Sequence, residues 1–377
     1  MVGEITRPVW VEVDLNNLRF NFKQIKKFVK KSSILCPVVK ANAYGHGVKE
    51  VCRVLTQEGA ERFAVALPEE GKEIRENGFK QPIHVLGEVT SKQIPMIMEY
   101  DLIPTVCKME TVNKIQQYAK DNNLIKKIHI KIDTGMGRIG VLSNKAVKFI
   151  LDVNKIDNIN IEGLITHFAT ADEKNKEYTK KQWTKFKKII DELNSYKLNI
   201  PIKHAANSAA ILNYPTKYQL DMVRPGIIIY GLYPSPLLKN NKIQIKPVLK
   251  WKAKIIYLKT VSAGCSVSYG ANFITNKETK IATIPLGYAD GFSRSFSNKG
   301  EVLIKGKRAP VIGTVCMDQF MVDVSGIENV DTGDEVVLIG SQGNKEITAD
   351  ELAQKINTIN YEIVCGISER IPRFFKK

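Results

Sequence analysis

From residue 34 to about residue 230 the chain alternates short apolar, β-branched runs with longer stretches whose apolar residues recur at helical spacing. The runs Ile34 to Val39, Phe63 to Leu67, Ile83 to Leu86, Leu102 to Val106, Ile128 to Ile132, Ile161 to Ile165, Ile202 to Ala205 and Met222 to Tyr230 predict strands buried on both faces. Helices are expected through Val48 to Leu55, near Gln93 to Glu99, through Ile115 and Tyr118, and over the charged stretch Asn175 to Leu193. Eight strands alternating with helices predict an α/β fold, a (β/α)8 TIM-type barrel, with a doubly wound parallel sheet as the alternative. Beyond Pro234 the texture changes: from about Lys242, period-two runs such as Lys250 to Lys259 and Lys280 to Pro285 are punctuated by turn glycines, which predicts a second, mostly β domain.

Composition narrows the class. At 377 residues with 44% hydrophobic content the chain can bury a large core. No stretch has the length and apolarity of a membrane span, and the opening Met1 to Trp10 is too short and polar for a signal peptide, so a cytoplasmic location without membrane partners is expected. The six cysteines form no C-x-x-C pair and no ligand spacing with the histidines, so free thiols and no metal site are expected. The net charge of +17 raises the question of nucleic acid. The lysines, however, come as scattered pairs such as Lys26-Lys27, Lys126-Lys127, Lys180-Lys181 and Lys187-Lys188, without a basic arm or an aromatic-interleaved stripe, so no nucleic-acid partner is expected.

Candidate chemistry gathers where the predicted strands end. Lys40 ends the first, Asp133 and Arg138 follow the fifth, His167 ends the sixth, Asn207 and Ser208 follow the seventh, and Arg224 lies in the eighth. Barrel enzymes work at that end of their strands. A lysine closing a buried strand sits at the edge of a core, where an ammonium is disfavoured and a neutral amine can attack a carbonyl; the alternative is a strand-end lysine that reaches out to water. His204-Ala205-Ala206-Asn207-Ser208-Ala209-Ala210 offers backbone N–H groups and small residues suited to a phosphate. Gly135-Met136-Gly137-Arg138-Ile139-Gly140 satisfies the dinucleotide pattern G-x-G-x-x-G, but it stands after four earlier strands rather than at the start of a sheet.

The string Val38-Val39-Lys40-Ala41-Asn42-Ala43-Tyr44-Gly45-His46-Gly47 resembles the pyridoxal-phosphate attachment motif of the alanine racemases. Further motifs extend the resemblance over nearly the whole chain: Lys131 to Gly140, Val267-Ser268-Tyr269-Gly270, Leu286 to Phe292, Val315 to Gln319, and Ile359 to Arg373, where Glu369 departs from the uncharged residue of the family pattern. The resemblance implies a fold-type III pyridoxal 5'-phosphate enzyme with a barrel over residues 11–238 and a β domain over residues 239–377, joined by an N-terminal strand within residues 1–10. It implies interconversion of L- and D-alanine, D-alanine for peptidoglycan, and a homodimer with shared active sites.

Residue by residue, the resemblance implies that Lys40 carries the cofactor and serves as one catalytic base. Tyr269 of a partner subunit is the other. Because an ordinary phenol ionises near pH ~10, that tyrosine needs help, which the family supplies by a relay matched here by Tyr269, His167 and Arg224. Arg224 would face the cofactor's ring nitrogen, and Tyr44, Asn207, Ser208, Gly226, Ile227 and Tyr361 its phosphate. Arg138, steadied by a commonly carbamylated Lys131, would hold the substrate carboxylate together with the Met317 backbone. Tyr288 and Asp318 lie in segments lining the substrate pocket, and Asp172 and Arg294 at its entrance. Read without the family, Lys131 is an ordinary strand lysine, His167 a hydrogen-bonded core histidine and Tyr269 a turn aromatic. A non-catalytic cofactor carrier, a broad-specificity racemase and a basic amino-acid decarboxylase are the rival readings on the same barrel.

Overall fold

The computed structural model describes residues 6–214, 216–239 and 243–377. They divide into two units: one holds Asn17–Ala43 and Val48–Lys246, the other the described residues up to Asn16, Tyr44–Gly47 and Pro247–Lys377.

The first unit is a parallel barrel of eight strands: Ile34–Leu35, Phe63–Val65, Ile83–Val85, Leu102–Val106, Lys126–Asp133, Ile159–Ile165, Ile202–His204 and Met222–Val223. Neighbours pair in that order, and the first and last strands pair Ile34 with Met222. Two isolated parallel bridges, Val38 with Ala64 and Asn207 with Arg224, close the remaining gaps. Closure leaves no strand edge and surrounds each strand by protein, which is why its residues are apolar on both faces. The helices between strands are amphipathic. Val48–Gln57 buries Val48, Val51, Cys52, Val54 and Leu55, and Glu177–Ser195 buries Thr179, Gln182, Phe186, Ile189 and Leu193. The strand expected over Met222 to Tyr230 is corrected: it stops at Val223, and Ile227–Tyr230 is a 3₁₀ turn. Pro225 has no N–H for a ladder, while its carbonyl still accepts from Val38 N at 2.8 Å.

The second unit is a ten-stranded sheet. Its path runs Tyr257–Val261, Thr279–Ile284, Phe320–Asp323, Lys307–Ile312, Glu301–Ile304, Glu335–Gln342, Leu249–Lys254, Val9–Asp14 and Arg373–Lys376, with Lys345–Ile347 paired to Glu335–Gln342 off the path. All pairs on the path are antiparallel except the last. Leu249–Lys254 alternates buried and more exposed positions as the period-two pattern requires. The strand expected within residues 1–10 runs from Val9 to Asp14; residues 1–5 lie outside the described residues, as do residues 240–242, where the expected β domain begins. It is buried on both faces, and Glu12 keeps its charge there by accepting from Trp10 Nε1 at 3.2 Å and Lys376 Nζ at 2.6 Å. None of the described helices is long and apolar enough to cross a membrane.

Asp290, fully buried, ties distant parts of this unit together. It accepts from Arg7 Nη1 at 2.7 Å, Arg7 Nη2 at 2.5 Å and Gly287 N at 3.0 Å, while its carbonyl accepts from Ser368 N at 3.0 Å. Asp290→Ala should lower stability by about 1–3 kcal/mol, because it removes the acceptor of the half-buried Arg7 and of the Gly287 N–H, although Arg7 still donates to Pro285 O. A urea midpoint equal to that of the parent protein would show that this latch carries no weight.

Candidate active site

The first strand delivers Lys40 into an unusual turn. Val39 N donates to Ala64 O at 2.9 Å, which locks the chain to the second strand up to the lysine. Then Ala41, Asn42, Ala43 and Tyr44 all take positive φ, between 51° and 55°, forming a left-handed helical turn without a glycine. Such a turn costs about 1–2 kcal/mol per residue, so its surroundings must hold it. Glu70 accepts from Ala41 N at 2.6 Å and from Ala66 N at 2.7 Å, and Asn42 Oδ1 caps the next helix by accepting from Val48 N at 2.7 Å. Lys40 is half-buried at the head of this turn.

Inside the barrel, Arg224 is 3% exposed. Its guanidinium donates to Thr166 O at 2.8 Å and Ala205 O at 3.1 Å, contacts His204 Nδ1 at 2.7 Å, and lies 3.4 Å from His167 Nδ1. Arginine only donates, so His204 Nδ1 is an acceptor and its proton sits on Nε2. That proton is donated to His129 Nδ1 at 2.7 Å, and His129 Nε2–H in turn to Glu162 Oε2 at 3.1 Å. Arg62 completes the chain by donating to Glu162 at 2.7 Å. Burial, reinforced by Arg224, holds His204 well below the usual histidine range, and burial lowers His129 too, so both rings are neutral. Burial would raise the Glu162 carboxyl, but hydrogen bonds from His129 and Arg62 outweigh it and hold the group far below the usual carboxylate range. Gly163 makes room: a Cβ there would lie 2.4 Å from the His129 ring. His84, His129 and Glu162 bring ligand atoms within 4.8 Å of one another, but Arg62 Nη1 contacts both Glu162 and His84 Nε2 and takes the place of a cation.

Lys131 is 4% exposed in the same interior, and its amine is pushed well below the usual lysine range by burial and then by Arg224 and Arg138. His167 is held well below the usual histidine range by burial and then by the nearby Lys131, Arg224, Arg138 and Lys40, of which Arg224 is in contact, its Nη2 3.4 Å from the ring Nδ1. Asn207 caps Ser208–Asn213 by accepting from Ala210 N at 3.0 Å, and Ser208 Oγ accepts from Gly226 N at 2.8 Å, drawing Gly226 and the neighbouring Ile227 to the same place. Asp172 is half-buried beyond the sixth strand.

The remaining predicted residues lie in the β unit. Tyr44 and Tyr361 face each other with ring centroids 6.1 Å apart. Met317, Tyr288 and Tyr269 are 52%, 43% and 73% exposed, an unusual display of large apolar side chains. Ala289 N donates to Met317 O at 3.1 Å, and Asp318 is paired with Arg370 at 2.8 Å. Arg294 is exposed, and among the described residues no hydrogen bond or ion pair joins Arg294 or Asp172 to the others. His204, His129, Glu162, Arg62 and Glu70 are the residues that sequence reasoning missed. The alternation His129-Lys131-Asp133 on one strand face was the available signal for part of the network.

A closed barrel with a lysine after its first strand and a buried arginine against a histidine at its carboxyl end has the layout of a barrel enzyme, whose sites gather at that end. The comparisons sharpen that class. The alanine racemase N-terminal domain model matches residues 13–234 and the C-terminal domain model residues 248–375. An alanine racemase of Halothermothrix orenii is 55% identical over 100% of this chain and 99% of its own length. The solved alanine racemase of Clostridium difficile 630 is 42% identical with a TM-score of 0.95, covering 99% of this chain and 97% of the other, and that of Bacillus anthracis, solved with bound L-Ala-P, is 38% identical with a TM-score of 0.94, covering 100% and 96%. The chain belongs to the alanine racemase family.

The neutral rings set a pH dependence. His84, His129 and His204 are buried and held below their ordinary range, whereas the unfolded chain protonates histidine near pH ~6.5. Below that point the unfolded state binds more protons, so stability falls as pH falls, by up to about 1.4 kcal/mol per histidine per pH unit. The contribution of Glu162 acts in the same direction, present above its unfolded value and lost on further acidification. Urea midpoints should therefore drop between pH 7.5 and pH 5.0, and equal midpoints would mean that the histidines are protonated in the fold.

Proposed function

We propose that this chain is a pyridoxal 5'-phosphate-dependent alanine racemase that interconverts L- and D-alanine by two acid/base groups, one on each face of the α-carbon. The observation that carries the reading is the placement of Lys40 at the end of the first barrel strand and of the buried Arg224 against His167, 3.4 Å from its Nδ1, at the carboxyl end of the same barrel. That donor set fits an anionic cofactor: it offers an amine for an aldehyde and cations for a phosphate and a phenolic oxygen. When bound, the cofactor draws electrons from the substrate and makes its α-proton acidic.

The protein's own residues then divide the work. Lys40 holds the cofactor and exchanges a proton on one face. Tyr269 of a second copy does so on the other face, which makes a homodimer with shared sites the working form; the exposure of Tyr269 in one chain supports this. Arg224 would face the ring nitrogen as a donor only, since a guanidinium does not surrender its proton, and bonds to His204 and two carbonyls fix its orientation while leaving N–H groups to spare. Asn207, Ser208, Gly226, Ile227, Tyr44 and Tyr361 would hold the phosphate. Arg138 and the Met317 backbone would bind the substrate carboxylate, Tyr288 and Asp318 line the pocket, and Asp172 and Arg294 guard its entrance. Lys131, buried and with its amine pushed well below the usual lysine range, is the amine that carbon dioxide can convert to a carbamate, which would return a negative charge to the arginines. A cytoplasmic location and supply of D-alanine to peptidoglycan complete the reading.

With L-alanine and the cofactor-loaded protein, chiral chromatography should show D-alanine rising toward an equal mixture, and Lys40→Ala should abolish it. Absence of D-alanine from a protein whose bound cofactor is seen by its absorbance would refute the reaction while keeping the cofactor. Shared sites make a second prediction. Mixed Lys40→Ala and Tyr269→Phe chains should regain activity through hybrid dimers that hold one intact site, and no recovery after demonstrated subunit exchange would place both residues in one chain's site.

A further inference from the structure

The phenol of Tyr269 points outward, 73% exposed, yet the backbone just before it is strained. Ser268 has φ 68° and ψ −176°, a region that residues other than glycine hardly enter and that costs about 1–3 kcal/mol. Packing does not require this of an exposed side chain. The strain is imposed by one facing segment. Ser268 Oγ donates to Thr314 O at 2.6 Å and lies 3.3 Å from Cys316 Sγ, and Thr314 Oγ1 donates back to Tyr269 O at 2.8 Å. Gly313 permits the approach: a Cβ there would come within 2.6 Å of Val267 O and 2.9 Å of Ser268 Cβ. The facing segment is itself anchored, with Gly313 N donating to Asn298 Oδ1 at 2.6 Å and Val315 N to Ser297 Oγ at 2.9 Å. Glycine at 268 would take the same backbone without strain, but it would lose the bond from residue 268 to the Thr314 carbonyl and leave only the one from Thr314 Oγ1 to Tyr269 O. The serine accepts the conformational cost and gains a fixed orientation.

We propose that Ser268 is a positioning residue, whose hydroxyl, clamped to the Thr314 carbonyl, holds the backbone in a glycine-only conformation and so aims the Tyr269 phenol at the substrate. This rests on the reading of Tyr269 as an acid/base group. Ser268→Gly removes the tether and relieves the strain, so the fold should survive with an undiminished melting midpoint; Ser268→Ala removes the tether and keeps the Cβ.

Both variants, as cofactor-loaded enzymes, should lose about tenfold to hundredfold in kcat. Because only the tyrosine's proton transfer is slowed, the α-deuterium isotope effect should rise for one enantiomer of alanine and fall for the other, which a general loss of folded enzyme would not produce. In a Tyr269→Phe background, Ser268→Gly should change the rate by about twofold at most, since both act on one step. In the cofactor-free protein, the 13C-tyrosine signal that Tyr269→Phe deletes should shift or broaden in Ser268→Gly. Parent-like rates and isotope effects in Ser268→Gly, or a loss that adds in full to that of Tyr269→Phe, would overturn the positioning role alone. A Tyr269→Phe enzyme with parent-like rates and isotope effects would overturn the tyrosine reading, and the positioning role with it.

Discussion

The barrel is arranged around the burial of one guanidinium. A charge at 3% exposure is tolerable only if it is hydrogen-bonded, and Arg224 donates to two carbonyls and a histidine ring. Those partners dictate the rest. Since an arginine cannot accept, His204 must present a bare Nδ1, His129 must receive from His204, and Glu162 must be the anion at the far end, neutralised by Arg62. Reversing any ring would set donor against donor inside a low-dielectric interior, where such a mismatch is most costly. The chain of bonds therefore has one polarity. It leaves Arg224 charged between neutral rings, and the Arg138 guanidinium adds a second positive charge near enough to hold the Lys131 amine down. An anionic ligand is the simplest resolution of that excess.

Much of this was legible in the sequence, and what was not has physical reasons. The eight barrel strands declared themselves because closure buries both faces and demands unbroken apolar runs, and Lys40, Arg138, His167 and Arg224 stood where those runs end. The run from Met222 to Tyr230 misled because a fully buried 3₁₀ turn is as apolar as a buried strand; only Pro225, without an amide hydrogen, marked the break. The left-handed turn after Lys40 was invisible, since in Ala-Asn-Ala-Tyr only Asn42 is at ease with positive φ, and one asparagine does not announce four such residues in a row. The proton chain was half visible in the alternation of His129 and Lys131, but its partners stand 33 and 75 residues away, and pairings at that distance are fixed by barrel register rather than by local pattern.

The two side chains assigned to proton exchange share a structural circumstance that ordinary stability would not select. Lys40 precedes four consecutive left-handed residues, and Tyr269 follows a serine in a glycine-only conformation. In each case polar contacts with a separate segment hold the strained backbone: Glu70, and Val48 N on Asn42, for the lysine, Thr314 and Cys316 for the tyrosine. Glycines appear beside the strain rather than within it, where another backbone must come close, as Gly313 does against Ser268. Using asparagine and serine at strained positions keeps side chains that tether the turn, and a tethered turn fixes the direction of the residue next to it. For a reaction that needs two groups aimed at opposite faces of one carbon atom, direction is the quantity worth stabilising, and a few kcal/mol of backbone strain is a modest cost against the loss of rate that an ångström of misplacement brings.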